Sequence, residues 1–376
     1  MGFERAVNID ELRAIARRRL PRFVFDYVDG GSEDERTLAG NRAAFERLRW
    51  RPRTLVDVSA RSSETTILGL PAALPAVVGP TGLNGLDWRD GDLALARATA
   101  AAGLPFAMST VCMSYIEDIA KVATRGLWLQ AYVFRERAIT DRLLDHAAAA
   151  GCDTVMLTSD FPVAGKRERD YRSGLLPKQR FTLATKLDIL RHPRWLLSVA
   201  TRKPRFVNVE RELGPGRNVN EFVGHGMFDP SLDWDDLARY RDRWRGKLLL
   251  KGVLRADDAL RAAAIGVDGV VLSNHGGRQL DSAISGMDAL PDVAEAVGNR
   301  CAVLVDGGVR RGSDIAKAVA LGAQAVLLGR APLYGLAAGG EAGARHALAI
   351  LAEEFDRTLA LTGSRAVAEL TRDLLA

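Results

Sequence analysis

The chain has 376 residues, of which 47% are hydrophobic and 26% charged, a composition that excludes an intrinsically disordered protein. No stretch approaches the roughly 18 uninterrupted apolar residues of a spanning helix, and the first residues lack the apolar core of a secretion signal. The net charge of +5 is concentrated, because residues 178–217 hold ten Lys or Arg and three acidic residues, a local charge of +7.

Residues 1–70 carry helical patterns and are interpreted as an N-terminal lead-in. Eight short runs rich in Val, Leu and Ala follow, each ending near Gly, Ser, Thr, Asn or Asp. The runs span residues 74–82, 104–110, 127–132, 154–160, 248–252, 269–277, 302–308 and 325–331. Continuous apolar runs are typical of parallel strands that are covered on both faces.

Amphipathic helices are predicted between the runs, including residues 92–103, 141–151, 256–266 and 313–322. Several begin at Asp or Ser and stop at Gly, which favour helix N-caps and C-caps respectively. Eight strand–helix units predict an α/β fold, a closed (β/α)8 TIM barrel; a doubly wound sheet is the alternative. The predicted organisation is one domain, 1–376, with the barrel over 71–164 and 236–345 and C-terminal helices over 346–376.

Residues 165–235 form a long insertion after the fourth strand, a length typical of a lid or a binding loop. Within its basic part, 178–217, apolar side chains interleave with Lys and Arg: Leu187, Ile189, Leu190, Trp195, Leu196 and Leu197. This pattern is typical of an element that lies on a membrane surface. A solvated lid or an oligomer contact is the alternative.

Polar residues collect at the C-terminal ends of the runs, the face of a barrel that carries active sites. They are Thr81, Ser109, Gln130, Tyr132, Thr158, Asp160, Lys251, Ser273, Asn274, His275, Asp306 and Arg330. This placement predicts an enzyme. Cys112, Cys152 and Cys301 lie far apart without a metal-binding spacing, so no metal is expected.

The segment SNHGGRQLD, residues 273–281, follows the sixth run. His275 is the only one of five histidines at the end of a run, and an imidazole can take a proton near neutral pH. Gly276 and Gly277 allow close approach of the backbone, and Arg278 offers a planar fork to a carboxylate. The alternative is that these residues only close a loop.

Two Gly-Arg loops, DGGVRRG at 306–312 and LLGRA at 327–331, follow the last two runs. Loops at these positions of a barrel frequently bind phosphate, although simple turn chemistry is the alternative. Lys251 ends an apolar run, where a lysine is costly to bury unless it faces an anion. A reduced flavin is such an anion.

These motifs, in this order with GPTG, LQAY, LTSD, GKRERD and LLLKG, resemble the FMN-dependent 2-hydroxy-acid dehydrogenases and oxidases over nearly the whole chain. PTGLNG, GDLALARA and GRAPLYGLAAGGEAG look most similar to the (S)-mandelate dehydrogenase branch. The resemblance implies an FMN cofactor and oxidation of a mandelate-like (S)-2-hydroxy acid to the 2-oxo acid. L-lactate dehydrogenase or an O2-using oxidase is the alternative, and a non-catalytic flavin- or membrane-binding barrel is the alternative of another class.

The resemblance also implies residue roles. His275 would take the hydroxyl proton and Asp160 would hold His275, with Tyr132 and Arg278 completing the catalytic set. The implied substrate-binding residues are Tyr27, Tyr132, Arg167, His275 and Arg278, the two arginines on the carboxylate. The implied FMN-binding residues are Pro80, Thr81, Gly82, Ser109, Gln130, Thr158, Lys251, Ser273, Asp306, Gly307, Gly308, Arg310, Gly329 and Arg330.

Two positions depart from the common family pattern. Gly82 stands where the oxidases commonly have Ala, which favours a dehydrogenase, and Phe161 adds apolar bulk that is compatible with an aromatic substrate. The resemblance further implies a cytoplasmic homotetramer that is peripheral on the cytoplasmic membrane face, where 178–217 would let electrons pass to a quinone. No nucleic-acid partner is expected, because no recognised nucleic-acid fold is matched.

Overall fold

The lead-in contains three helices and a hairpin. The helices are α1 Ile9–Arg19, α2 Arg22–Asp29 and α3 Arg36–Glu46, and the antiparallel strands are β1 Thr65–Ile67 and β2 Leu70–Ala72. The sequence patterns indicate only helices here. Leu68 and Gly69 both adopt positive φ, +49° and +90°, which is the geometry that closes a two-residue hairpin.

Eight parallel strands form the barrel. The computed structural model describes residues 2–175, 181–199, 205–214 and 228–376. The barrel strands are β3 Ala76–Val78, β4 Phe106–Ser109, β5 Leu127–Ala131, β6 Thr154–Thr158, β7 Lys247–Val253, β8 Gly269–Leu272, β9 Ala302–Asp306 and β10 Ala325–Leu328. They close in the order β10-β3-β4-β5-β6-β7-β8-β9. Each predicted run coincides with one strand, so the (β/α)8 barrel is confirmed and the doubly wound alternative is wrong.

Alternate residues of each strand divide between two apolar clusters, because successive side chains of a strand point to opposite faces. Trp128, Met156, Leu249, Val271 and Leu304 belong to one cluster and fill the barrel. The hairpin adds Ile67 and Ala72 to that cluster, so the last residues of the lead-in belong to the barrel core. The other residues of the strands pack against the surrounding helices.

The remaining helices, apart from those of the insertion, cover the barrel. They are α4 Asn84–Asp87, α5 Gly91–Ala101, α6 Ile116–Ala120, α7 Arg137–Ala149, α12 Trp234–Arg243, α13 Ala256–Ile265, α14 Gly286–Val297, α15 Gly312–Ala320 and α16 Arg330–Thr362. The prediction that these helices begin at Asp or Ser is wrong for α5 and α15, because Asp92 and Ser313 lie inside the first turn. The predicted start near Asp141 is also late, since α7 begins at Arg137. Gly266 ends α13 in the left-handed conformation, as predicted.

The insertion after β6 contains four described helices: α8 Glu168–Ser173, α9 Leu183–Leu190, α10 Pro193–Val199 and α11 Val207–Leu213. At the C-terminal end of the chain, α16 continues past residue 345 and kinks at Gly339 and Gly340. Helix α16 packs against α1 and α5. The lead-in and the C-terminal helix therefore meet on the outside of the barrel.

Candidate active site

The polar residues at the strand ends lie side by side. In the barrel register Ser109 pairs with Gln130, and Thr158 pairs with Lys251. A bulge interrupts β7 between Lys251 and Val253. The parallel strands thus place the predicted side chains on one rim, as expected for a barrel enzyme.

His275 is held between a carboxylate and a phenol. Its Nδ1 lies 2.8 Å from Asp160 Oδ1, and its Nε2 lies 3.3 Å from the Tyr132 hydroxyl. An Nδ1–H that donates to Asp160 leaves Nε2 as the acceptor for a substrate proton. Gln279 holds the backbone of Asp160 in place, because its Nε2 donates to the Asp160 carbonyl at 2.8 Å and to the Val163 carbonyl at 2.9 Å.

The backbone at His275 is unusual. His275, Gly276 and Gly277 have φ values of +59°, +64° and +76°. A Cβ on Gly277 would lie 2.7 Å from the Leu38 nitrogen, so only glycine fits there. A left-handed histidine is a strained feature that concentrates at functional sites.

The electrostatics favour a neutral imidazole beside a charged carboxylate. Burial lowers the pKa of His275, although Asp160 opposes this shift. Burial alone would raise the pKa of Asp160, but its interactions with His275 and Lys251 outweigh burial and lower that pKa below its usual range. Burial raises the pKa of the Tyr132 phenol, which therefore stays protonated. The arrangement provides one base, one anion that orients it and one hydroxyl donor.

Two arginines place positive charge next to this base. Arg278 Nη1 donates to the Tyr27 carbonyl at 2.5 Å and to the Gly30 carbonyl at 3.2 Å. Burial and the charge of Arg167 lower the pKa of Arg278. Arg167 Nε is buried without a hydrogen-bond partner among the described residues, and its Nη1 lies 3.9 Å from Asp170. A bound carboxylate would relieve this excess of positive charge.

Lys251 is a buried cation with two acidic neighbours. Its Nζ donates to Ser273 Oγ at 2.7 Å and lies 3.1 Å from Asp306 Oδ2 and 3.9 Å from Asp160 Oδ2. Burial alone would lower the pKa of Lys251, but the two carboxylates outweigh it and raise that pKa. The lysine is therefore charged in the cleft.

The rim provides hydrogen-bonding groups for a heterocycle such as the expected isoalloxazine ring. Gln130 Nε2 donates to Thr158 Oγ1 at 2.8 Å, and Ser109 Oγ donates to Gln130 Oε1 at 3.1 Å. Thr81 Oγ1 and Asp306 Oδ1 are buried, and neither has a partner within the described part of the chain. Buried polar atoms are normally satisfied, so these two indicate a missing polar ligand.

The loop after β10 leaves room for an anion. A Cβ on Gly329 would meet none of the described atoms within 4 Å. Arg330 donates to the carbonyls of Val28, Gly276 and Gly30 at 2.8 to 2.9 Å, and burial lowers its pKa to about 10, with Arg278 and Arg310 adding to this shift. Arg330 with two arginines near it, Arg278 and Arg310, and the open backbone at Gly329 fit a phosphate. The residues present therefore fit FMN.

Some predicted residues stand apart from the hydrogen-bonded network. Arg310 packs over the Tyr334 ring at 5.4 Å, and its Nη1 donates to the Val309 carbonyl. Gly308 has φ +87° and a Cβ there would lie 2.2 Å from the Asn41 carbonyl, so its position is set by helix α3.

Sequence reasoning missed two residues of the site. Gln279 lies inside the SNHGGRQLD motif, directly after Arg278, and this position could have indicated a role in the site. Phe228 lies outside every motif, yet its ring centroid is 4.7 Å from that of Tyr132 and 4.5 Å from that of Phe161. No pattern in the sequence links Phe228 to the strand ends, since it lies near the end of the long insertion.

Comparisons with known proteins agree with this geometry. The family model for FMN-dependent dehydrogenases matches residues 16–376. The chain is 44% identical to an L-lactate dehydrogenase of Caulobacter vibrioides, over 97% of this chain and 96% of that protein. It is 44% identical to the (S)-mandelate dehydrogenase of Pseudomonas putida, over 98% and 93%. A crystal structure of the monotopic membrane protein (S)-mandelate dehydrogenase superimposes with a TM-score of 0.94 at 43% identity, covering 99% of both chains.

Proposed function

The chain belongs to the family of FMN-dependent dehydrogenases and uses FMN, and from that premise we propose that it oxidises an (S)-2-hydroxy acid with an aromatic side chain to the 2-oxo acid. The observation that carries the proposal is the position of the His275–Asp160 pair next to Arg167 and Arg278. A 2-hydroxy acid needs a base for its hydroxyl and a cationic clamp for its carboxylate. The names of similar proteins support this substrate class.

Each side chain has a defined task in this reaction. Arg167 and Arg278 bind the carboxylate and fix the orientation of the substrate. His275 Nε2 accepts the hydroxyl proton, and Asp160 stabilises the imidazolium that forms. Tyr132, protonated and beside His275 Nε2, donates to the substrate oxygen, and Tyr27 provides a second hydroxyl.

The FMN site follows from the same rim. Ser109, Gln130, Thr158 and Thr81 would hold the ring, and Lys251 would offset negative charge on it. The phosphate would be held by the loops that contain Gly307, Gly308, Gly329, Arg310 and Arg330. Asp306 would bond the ribityl chain. The backbone of Pro80 and Gly82 would lie along the ring. FMN supplies the acceptor for the hydrogen and electron pair that leave C2.

An anaerobic titration of the purified protein tests the proposal. Loss of the oxidised-flavin absorbance with (S)-mandelate and not with L-lactate is the expected result. Bleaching by L-lactate alone would favour the L-lactate dehydrogenase alternative. A bound flavin that responds to neither acid would contradict the proposed function.

We further propose that a quinone-like acceptor, rather than O2, takes the electrons. Gly82 supports this, because a Cβ there would lie 2.6 Å from Val111 Cγ2 and 3.8 Å from the Tyr27 hydroxyl. The methyl group that the oxidases commonly carry would therefore require the Val111 side chain to shift. Stopped-flow reoxidation of the reduced protein tests this: a short-chain quinone should react far faster than dissolved O2, and the reverse order would contradict it.

We also propose that the insertion contacts a membrane surface, at its cytoplasmic face. Four leucines of α9 and α10, at positions 183, 187, 190 and 197, are 49–76% exposed. Lys186, Arg191 and Arg194 lie between them in the sequence and would meet anionic headgroups. A group of exposed leucines is unfavourable in water, and an apolar phase that covered them would remove this free-energy cost.

The structure corrects one part of that prediction. Trp195 was expected among the membrane-facing residues, but it is buried against the protein: its Nε1 donates to the Leu86 carbonyl at 2.6 Å and its ring packs edge-on against Phe23. Within the described ranges no helix is long and apolar enough to cross a membrane. Lys178, Arg180, Arg202, Lys203 and Arg217 lie outside the described residues.

Sedimentation with vesicles that contain anionic lipid tests the surface. Replacement of Leu187, Leu190 and Leu197 by Ser should release the protein from the vesicles with its flavin retained. Leu361→Ser, at a leucine equally exposed on α16, is the matched control. Equal sedimentation of both variants would contradict the membrane proposal.

Analytical ultracentrifugation tests the homotetramer that the resemblance implies.

A further inference from the structure

Three aromatic rings form a continuous apolar wall next to the catalytic base. The centroids of Phe161 and Phe228 are 4.5 Å apart, and both rings contact Tyr132, at 5.1 and 4.7 Å. Phe161 also lies 5.4 Å from the His275 ring. Such spacings are those of favourable aromatic pairs.

The backbone, not only packing, fixes Phe228 in this wall. Phe228 forms an antiparallel bridge with Phe134, and its carbonyl accepts from Arg135 Nε at 3.3 Å. The next residue, Asp229, donates its N–H to the Val133 carbonyl at 3.0 Å and pairs with Arg137 at 2.9 Å. The last part of the insertion is therefore attached to the segment that follows β5.

The insertion supports the wall from behind. Val209 and Leu213 of α11 belong to the same apolar cluster as Tyr132 and Phe161. Helix α11 is in turn held by Glu212, whose carboxylate accepts from Arg142 Nε at 2.8 Å. Phe161 is 8% exposed, so the wall is a packed surface with one edge at the catalytic base.

The hydroxyl, the carboxylate and the hydrogen on C2 of the substrate each have another place in the site. The wall therefore remains for the substrate's side chain. In the proposed reaction the hydroxyl would lie at His275 and Tyr132, the carboxylate at the two arginines, and the C2 hydrogen would face the flavin. The fourth substituent of C2 would then point away from the flavin, and the apolar surface next to His275 begins at Phe161 and continues to Phe228.

We propose that Phe161 and Phe228 form the side-chain subsite and set the preference for planar apolar 2-substituents over a methyl group. The inference rests on the proposed function and adds the residues that determine its substrate. An aryl group gains ring contacts on this wall that a methyl group is too small to make.

The test compares Phe161→Leu and Phe228→Leu with the wild-type protein, each with bound FMN. The measured quantity is the ratio of kcat/KM for (S)-mandelate to that for L-lactate. We expect this ratio to fall about 10-fold or more in each variant, the range that lost apolar contacts produce in a pocket. Dissociation constants for phenylglyoxylate and pyruvate, measured by calorimetry, should change in the same sense and do not depend on turnover.

Phe206→Leu is the matched control. Phe206 packs against the same cluster, but none of its described ring contacts is with His275 or the wall, so the ratio should stay within about twofold of wild type. Unchanged ratios in both wall variants, with the flavin spectrum and helical signal retained, would overturn the inference. A wild-type protein that oxidises no 2-hydroxy acid would instead overturn the proposed function, so the two failures are distinguishable.

Discussion

At the scale of single residues, the first prediction concerns the base. His275 occupies the left-handed region, which Asn tolerates better than most residues. His275→Asn should therefore keep the loop and the FMN absorbance but lose the base, and flavin reduction should slow by about 10²- to 10⁴-fold. Stopped-flow absorbance measures it. His346→Asn, at a histidine that bonds the Ala6 carbonyl outside the cleft, is the control, and near-normal reduction in His275→Asn would show that another group is the base.

The second residue-scale prediction is a pH dependence. The base form is the neutral imidazole, and burial lowers the pKa of His275 below 6.5, so the acid limb of kcat/KM should lie below pH 6.5. Asp160 raises that pKa, so Asp160→Asn should move the limb to still lower pH. The same variant should lower kcat by about 10²- to 10⁴-fold, because the imidazolium loses its partner. A limb that moves to higher pH would contradict the pairing.

At the scale of elements, helix α2 is anchored by one carboxylate. Asp29 accepts from Arg13 Nε at 2.5 Å, from the Tyr334 hydroxyl at 2.8 Å and from Arg169 Nη1 at 3.2 Å. It thereby joins α2 to α1, α16 and the insertion. Burial alone would raise the pKa of Asp29, but its bonds to Arg13 and Tyr334 lower it to about 2.

Asp29→Asn should therefore destabilise the protein and weaken substrate binding through Tyr27, which lies on α2. A shift from 3.8 to about 2 corresponds to roughly 2 kcal/mol of unfolding free energy. Because the pKa is lower in the folded state, this stability is present at pH 7 and is lost as pH falls from about 4 through about 2. Chemical denaturation and KM measure the two effects.

Asp26→Asn on the same helix is the control for that experiment. Burial raises the pKa of Asp26, so removing its charge at neutral pH should cost little free energy. Equal losses in the two variants would show that any polar change on α2 destabilises the protein, and that Asp29 has no special role.

The strands and helices also show how much of the fold could be predicted from the sequence. The strands were predictable because parallel strands buried on both faces leave continuous apolar runs, and their polar ends marked the active-site rim. Helix starts were less predictable: Asp92 lies in a first turn, where its carboxylate accepts from the Met113 nitrogen instead of capping a helix. Phe228 could not be predicted, since its contact with Phe161 depends on how the insertion returns to the barrel.

At the scale of the whole molecule, the phosphate end of the cleft ties distant parts of the chain together. Arg330 at the start of α16 donates to Val28 and Gly30 of the lead-in and to Gly276 after β8. The lead-in also places Ile9, Leu12 and Ile15 of α1 in the main apolar core. These contacts support the expectation that residues 1–376 form a single domain, because the lead-in, the loop after β8 and α16 meet at the phosphate end of the cleft.

The last prediction follows from that connection. On heating, the release of FMN, seen as a rise in flavin fluorescence, should coincide with the loss of helical circular dichroism. Excess FMN should raise both midpoints together, because a ligand that binds only the folded state stabilises it by about 2.7 kcal/mol at 100 times its Kd. Flavin release well before the helical transition would mean that the lead-in or α16 detaches first, and the single-domain expectation would then be wrong.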